Sequence, residues 1–282
     1  AESSTLNLAD YETVLGSLVL GASSDGTTYA GTLSPREFTK LKEIRGSLSV
    51  TSIDDENLAG LENLDFVGGD LAVHNNSAIK SLDGLKTLEV VVGSLTVIDN
   101  EKLSYVGGGG PSDGSLSSLA ALGGGLTVSS NQKMGAFSAD ALSAIGGAVV
   151  FESCPALANT SLRSLRYLAG ESLVVRNNSD LKSFRLPMLS EGHVGSVIVE
   201  GNGDAVVITD SKSAPAEIVI GNQSGSSGMV VDEYVIIASN GGAVNATYPP
   251  SSNANQSRTL LNTSLAPTSM EVTVAAVARI RG

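Results

Sequence analysis

The sequence predicts a mainly β solenoid whose coils are roughly 23–24 residues long. Three observations predict it. A strand phrase, Gly-x-Leu-x-Val, recurs along the chain. A polar residue follows each phrase at a fixed distance. A leucine-rich return path then leads to the next phrase.

The phrase reads Gly46-Ser47-Leu48-Ser49-Val50, Gly69-Asp70-Leu71-Ala72-Val73, Gly93-Ser94-Leu95-Thr96-Val97 and Gly124-Gly125-Leu126-Thr127-Val128. Gly147-Ala148-Val149-Val150-Phe151 continues it, with looser copies at Leu173-Val174-Val175 and Val197-Ile198-Val199. The steps between first core residues, from Leu48 to Val197, are 23, 24, 31, 23, 24 and 24. Alternation within each phrase is the period of a strand with one buried face. A unit this short cannot bury its own apolar face and must stack on its neighbours.

A polar corner ends each strand. Five residues after the first core position stand Asn76, Asn100, Asn131, Cys154, Asn178 and Asn202. Stacked coils place these in a ladder, because an Asn amide can serve a backbone group and a neighbouring amide together. Ile53 breaks the column, with Asp55 as its substitute after a two-residue slip. Cys154 reads as a small buried group in a ladder slot, the alternatives being an intermolecular disulfide or a reactive thiol. On the return path, Ile79, Leu82, Leu85 and Leu88 at spacings of three indicate short helical turns.

Residues 1–15 read as an N-terminal cap, with a helix over Leu6–Leu15, and 16–202 as the solenoid. The longer step holds a glycine-rich insertion at 107–115, expected to protrude. Residues 203–240 read as shorter β coils through Ala205–Ile208, Glu217–Ile220 and Tyr234–Ile237. Residues 241–267, rich in Ser, Asn and Pro, read as a linker or glycosylated stalk, and 268–282 as a C-terminal strand. That strand either folds back or is exchanged with a neighbouring molecule.

Composition narrows the function classes. The formal net charge of −12 argues against nucleic acid and anionic membrane partners. No apolar run reaches the ~20 residues of a membrane span. Two His and one Cys exclude a disulfide framework and a Cys/His zinc site. Sequons begin at Asn75, Asn159, Asn177, Asn222, Asn245, Asn255 and Asn262. Composition alone would give roughly three or four. The chain is read as secreted, with Ala1-Glu2-Ser3-Ser4 compatible with a mature start and any anchor removed or outside this chain.

The strand phrase, followed by Asn-x-x-Leu-x-x-Leu and a Val/Ile-Gly such as Val106-Gly107 or Ile145-Gly146, resembles the receptor L-domain family. That family occurs in insulin and growth-factor receptor ectodomains and in GPI-anchored fungal cell-wall proteins. The resemblance runs from about Gly46 to Asn202, with a weaker copy at Gly16-Ser17-Leu18-Val19-Leu20. It implies a right-handed, β-helix-like, leucine-rich solenoid outside the cell. This chain lacks disulfide-bonded caps and cysteine-rich modules, so a growth-factor receptor is not expected.

Catalytic candidates are weak. Asp54-Asp55-Glu56 and Asp99-Asn100-Glu101 read as solvated corners rather than a glycosidase or calcium cluster, and His74 and His193 stand apart. No enzyme activity, cofactor or metal is expected. Outward strand positions change from small residues at Ser49, Ala72, Thr96 and Thr127 to an apolar stripe at Val150, Val174, Ile198 and Val219. The chain's own tail or another molecule covers that stripe. Val272 and Val274 of the final strand complete the assembly candidates. In the next column, Glu152, Arg176 and Glu200 alternate in charge. The expectation is a structural subunit of a cell-surface, wall or filamentous assembly, associating with copies of itself or related solenoids. The alternative is a ligand-binding ectodomain for peptide or glycan.

Overall fold

The computed structural model describes residues 8–21, 33–107, 114–181, 184, 186, 188–189, 191–202, 217–219, 230–238, 245–247 and 259–260. Among these residues the fold is a stack of parallel coils. A 16-stranded sheet dominates it, and a 3-stranded and a 2-stranded sheet stand beside it.

The large sheet begins as two strips. The first contains the strand phrases, Leu18–Gly21, Leu48–Thr51, Leu71–His74, Leu95–Ile98, Leu126–Ser129 and Val149–Glu152. Their first core residues lie in register, Leu18 on Leu48, Leu71, Leu95, Leu126 and Val149. The second strip consists of two-residue strands just before each corner: Thr13–Val14, Glu43–Ile44, Phe66–Val67, Val90–Val91, Ala121–Leu122 and Ala144–Ile145. The two strips fuse in Tyr167–Arg176, which pairs with both Ala144–Ile145 and Val149–Glu152. The core positions Leu168 and Leu173 stand five apart there, one residue more than their partners Ile145 and Val149. The fused sheet continues through Glu191–Glu200, Val230–Ala238 and Thr259–Leu260.

Each coil donates one residue to each core column. Leu48, Val50, Leu58, Leu61, Leu64 and Val67 of one coil are fully buried, as are Leu71, Val73, Ile79, Leu82, Leu85, Leu88 and Val91 of the next. Burial of each aliphatic side chain contributes about 1.5–3 kcal/mol. In the later coils the core gains edge-to-face aromatic contacts, Phe137 on Phe151 at 5.2 Å and Phe151 on Phe184 at 5.4 Å.

Glycine is required at the corner between the strips. The amides of Gly46, Gly69, Gly93, Gly124 and Gly147 each donate to the glycine carbonyl of the previous coil at 2.8–3.0 Å. A Cβ on Gly124 would stand 2.8 Å from the carbonyl carbon of Gly93 and 2.4 Å from Ser94 Oγ. Backbones stacked this closely leave no room for a side chain.

Several sequence expectations meet a different arrangement. The N-terminal cap is not a helix. Leu8–Asp10 is one 3₁₀ turn, and Thr13–Val14 already pairs with Glu43–Ile44 as the first rung. β-Branched Thr and Val gain ladder hydrogen bonds from the neighbouring coil, which an isolated helix would forgo. Asp55 does not enter the ladder; it bonds Ser34 Oγ and Arg36 at the surface, and Ile53 remains buried in the slot. Of the glycine-rich insertion at 107–115, residues 108–113 lie outside the described residues; at its flanks Gly107 is buried and Ser115 donates Oγ to Asp83 at 2.9 Å.

Beyond Val199 the coil lengthens instead of narrowing. Val197 pairs with Val235, 38 residues on, and Val235 pairs with Thr259, 24 residues on. Glu217–Val219 leaves the main stack to pair with Asn245–Thr247. The expected strands at Ala205–Ile208 and within 268–282 lie outside the described residues.

Gly124→Ala should lower stability by about 1–3 kcal/mol through overpacking. Gly16→Ala should stay within about 0.5 kcal/mol, as at an ordinary surface site, because nothing lies within 4 Å of its Cβ position. Urea unfolding of both variants checks the contrast; equal effects would contradict the close-approach account.

Candidate interaction surface

The polar corner is built from a pair of residues. The first adopts a left-handed backbone: Ser52, Asn75, Asp99, Ser130, Ser153 and Asn177, with φ between 52° and 57°. Among residues other than glycine, Asn and Asp are the most enriched in this region. The second turns inward and forms the column Ile53, Asn76, Asn100, Asn131, Cys154 and Asn178; Asn202 follows Gly201, whose φ is 62°.

The asparagine bonds run from coil to coil. Nδ2 of Asn76, Asn100 and Asn131 donates to the carbonyls of Val50, Val73 and Val97 at 3.0, 2.9 and 2.8 Å. Asn76 Nδ2 also donates to Asn100 Oδ1 at 2.9 Å, and Asn100 Nδ2 to Asn131 Oδ1 at 3.2 Å. The same pattern returns in Asn178 and Asn202, which serve Phe151 and Val175 at 3.0 and 2.8 Å. At the interruptions the backbone still participates: the Ile53 amide donates to Asn76 Oδ1 at 3.1 Å, and that of Cys154 to Asn178 Oδ1 at 3.0 Å.

Cys154 lies fully buried, its Sγ 3.5 Å from the Glu152 carbonyl. Burial pushes the thiol pKa up, against a smaller opposing effect of its contacts with Asn131. A higher pKa means less thiolate at any given pH, and so a less reactive sulfur.

A second ladder escaped the sequence reading. Ser17 Oγ accepts from the Ser47 amide, Ser47 Oγ from Asp70, Asp70 Oδ1 from Ser94, and Ser94 Oγ from Gly125, all at 2.8–3.0 Å. The available signal was the small polar residue just before Leu18, Leu48, Leu71 and Leu95; Gly125 before Leu126 ends the ladder as a donor.

On the outward face of the first strip, Val150, Val174 and Ile198 lie in register across three strands. Val150 and Ile198 are half-buried, and Val174 is 8% exposed. The early rungs of this column hold Val19, Ser49, Ala72, Thr96 and Thr127. Val219 does not belong to it. The enlarged coil puts that residue in the 2-stranded sheet, and Ile236 and Leu260 occupy the next backbone positions of the column. Val272 and Val274 lie outside the described residues. Beside the stripe, Arg176 and Glu152 form an ion pair at 2.7 Å; Glu200 is in backbone register with Arg176.

The acidic candidates do not converge. Asp55 pairs with Arg36 at 2.8 Å and Glu56 with Lys80 at 2.6 Å. The hydrogen bond and charge of Lys80 hold the Glu56 carboxyl below its ordinary pKa. Asp99 and Glu101 are exposed at their own corner. His74 lies 3.4 Å from Ser49 Oγ and 3.2 Å from Asn75 Nδ2, while His193 is on another strand, opposite Ala169. Among the described residues, no three His, Cys, Asp or Glu side chains gather as metal ligands. A surface groove of about 330 Å³ includes Asn57, Glu62, Asp83 and Lys86.

Of the sequons, Asn75, Asn159 and Asn177 are exposed. Asn245 begins a described strand, whereas Asn222, Asn255 and Asn262 lie outside the described residues.

The stacked strands and their ladders define a leucine-rich parallel solenoid, and part of it is similar to receptor L domains. Residues 12–108 of the 282 match the family model described as Receptor L domain. Receptor L domains are extracellular modules, and among the described residues no helix is long and apolar enough to cross a membrane. No curated protein and no solved structure matches the chain.

Asn100→Ala should lower the unfolding free energy by about 2–4 kcal/mol, because it removes the bonds to the Val73 carbonyl and Asn131 and takes from the buried Asn76 amide its Oδ1 partner. Chemical denaturation followed by circular dichroism checks this; a loss under about 0.5 kcal/mol, the scale of an ordinary surface change, would contradict a structural ladder. For Cys154, iodoacetamide at pH 8 should label the folded chain far more slowly than the urea-unfolded chain. Equal labelling rates would contradict the buried, protonated thiol.

Proposed function

We propose that this chain is a non-enzymatic extracellular scaffold that associates with copies of itself or related solenoids through the outward face of its later coils. The observation that carries this reading is the register of Val150, Val174 and Ile198. β-Branched side chains lose little rotamer freedom when a surface closes over them. A contiguous apolar stripe on an acidic solenoid favours contact with another surface. The Arg176–Glu152 pair beside it supplies charge alternation that selects a register of approach. The stacked, hydrogen-bonded coils supply stiffness, which suits a subunit of a wall, surface layer or filament.

The family match favours a second reading, an ectodomain that binds a peptide or glycan on the same scaffold.

Light scattering and negative-stain imaging of the purified chain should show oligomers or filaments. Val150→Asp with Ile198→Asp should return it to monomers with unchanged circular dichroism. Val174 is left intact because, at 8% exposure, an Asp there would test folding instead of contact. A wild-type chain that stays monomeric at high concentration would defeat the self-association reading. A monomer that binds a peptide or glycan array would establish the second.

A further inference from the structure

We propose that Asn75 and Asn177 carry N-linked glycans and form a sugar-bearing edge along one corner of the solenoid; this rests on the extracellular reading above. The two sequons occupy the same corner in different coils. Asn75 and Asn177 both have left-handed backbones, with φ of 56° and 57°. In each, the middle residue, Asn76 or Asn178, is fully buried in the ladder. The corner therefore turns the residues on either side outward, and Asn75, Ser77, Asn177 and Ser179 are all exposed. An acceptor amide and its partner hydroxyl thus face solvent together, which is what a sequon in a folded secreted protein requires.

The corresponding corners between them hold Asp99, Ser130 and Ser153, so the two acceptors stand four rungs apart on one edge. At ~4.8 Å per rung the separation is about 19 Å. Asn159, the other sequon whose exposure is given above, differs. Asn159 lies within the strand Asn159–Ser161, and its middle residue Thr160 is a buried strand position, not a ladder corner; the Ser161 hydroxyl bonds the Asp140 carboxylate, as the exposed Ser179 hydroxyl bonds the Pro155 carbonyl at 3.1 Å.

The chemistry balances with a lipid-linked oligosaccharyl diphosphate as donor. A bond forms between Asn Nδ2 and the anomeric carbon as the bond from that carbon to the diphosphate oxygen breaks. The electron pair of the broken bond leaves on the diphosphate oxygen, the amide passes one proton to that leaving group, and it keeps the other. The remaining N–H on Asn75 can still donate to His74 Nδ1, now 3.2 Å away. Asn177 directly follows Arg176 on the strand that carries Val174, so its glycan borders the apolar stripe. The second strip has no sequon among its described residues. A partner therefore reaches the stripe from the side of that strip.

The test uses the full chain, secreted from a eukaryotic host behind a signal sequence, with glycopeptide mass spectrometry before and after peptide-N-glycosidase. Both asparagines should be occupied. Asn75→Gln and Asn177→Gln should each remove one glycan, and the double variant both, with the circular dichroism of the folded protein unchanged. Ser77→Ala and Ser179→Ala should abolish the same glycans with the Asn retained, which a purely structural role for the asparagines would not produce. A secreted, folded chain with either asparagine bare overturns the paired edge. That failure is separable from failure of the assembly reading, which is judged on the Val150 and Ile198 variants made without glycans in a bacterial host.

Discussion

Hydrogen bonding between equivalent corners of successive coils is the constraint on which this fold depends. No coil can bury its leucines alone, and the burial works only if each apolar column lies directly over the next. Two corner devices impose that alignment. At one corner, glycine amides donate to glycine carbonyls of the previous coil, close enough that a Cβ on Gly124 would collide with Gly93. At the other, the Asn76, Asn100 and Asn131 amides tie strand carbonyls of one coil to the backbone of the next. A slip of one residue would turn each core position to solvent and break both sets of bonds together. The hydrophobic term is non-directional, so it compacts the chain without choosing this register; the corners choose it.

The same constraint shapes the surface. Because one residue per coil enters each column, a face is a list of equivalent positions, and its chemistry can change along the axis without disturbing the core. The column through Ser49, Ala72, Thr96 and Thr127 is small and largely polar, and it becomes apolar at Val150, Val174 and Ile198. The receptor L domain match at residues 12–108 ends before that change. The recognisable part of the molecule and its apolar stripe are therefore different rungs of one continuous sheet. Exposed ion pairs between coils, such as Lys80 with Glu56, decorate the stack and contribute little each.

Much of the candidate site was legible as spacing. Asn76, Asn100, Asn131, Asn178 and Asn202 each fall five residues after a strand position, and an amide is the side chain that can bond in two directions at a corner. The serine ladder was harder to see because Ser47, Asp70 and Ser94 differ in type while sharing a role, that of a short side chain with an acceptor oxygen. Asp55 misled because an acid near a vacant ladder slot looks like a substitute; Ser34 and Arg36, distant in sequence, claim it instead.

By itself the sequence determined the coil, its period, the residues that fill the core and the polar column, since all of these are written in local periodicity and side-chain type. The tertiary structure alone decided three further matters. Two-residue strands such as Val90–Val91 exist because neighbouring coils complete their hydrogen bonds, which no local alternation reveals. The first coil is a rung because Glu43–Ile44 pairs with it. Val219 leaves the apolar stripe because its coil is 38 residues long in register, and pairing partners across such a distance are set by the path of the whole chain.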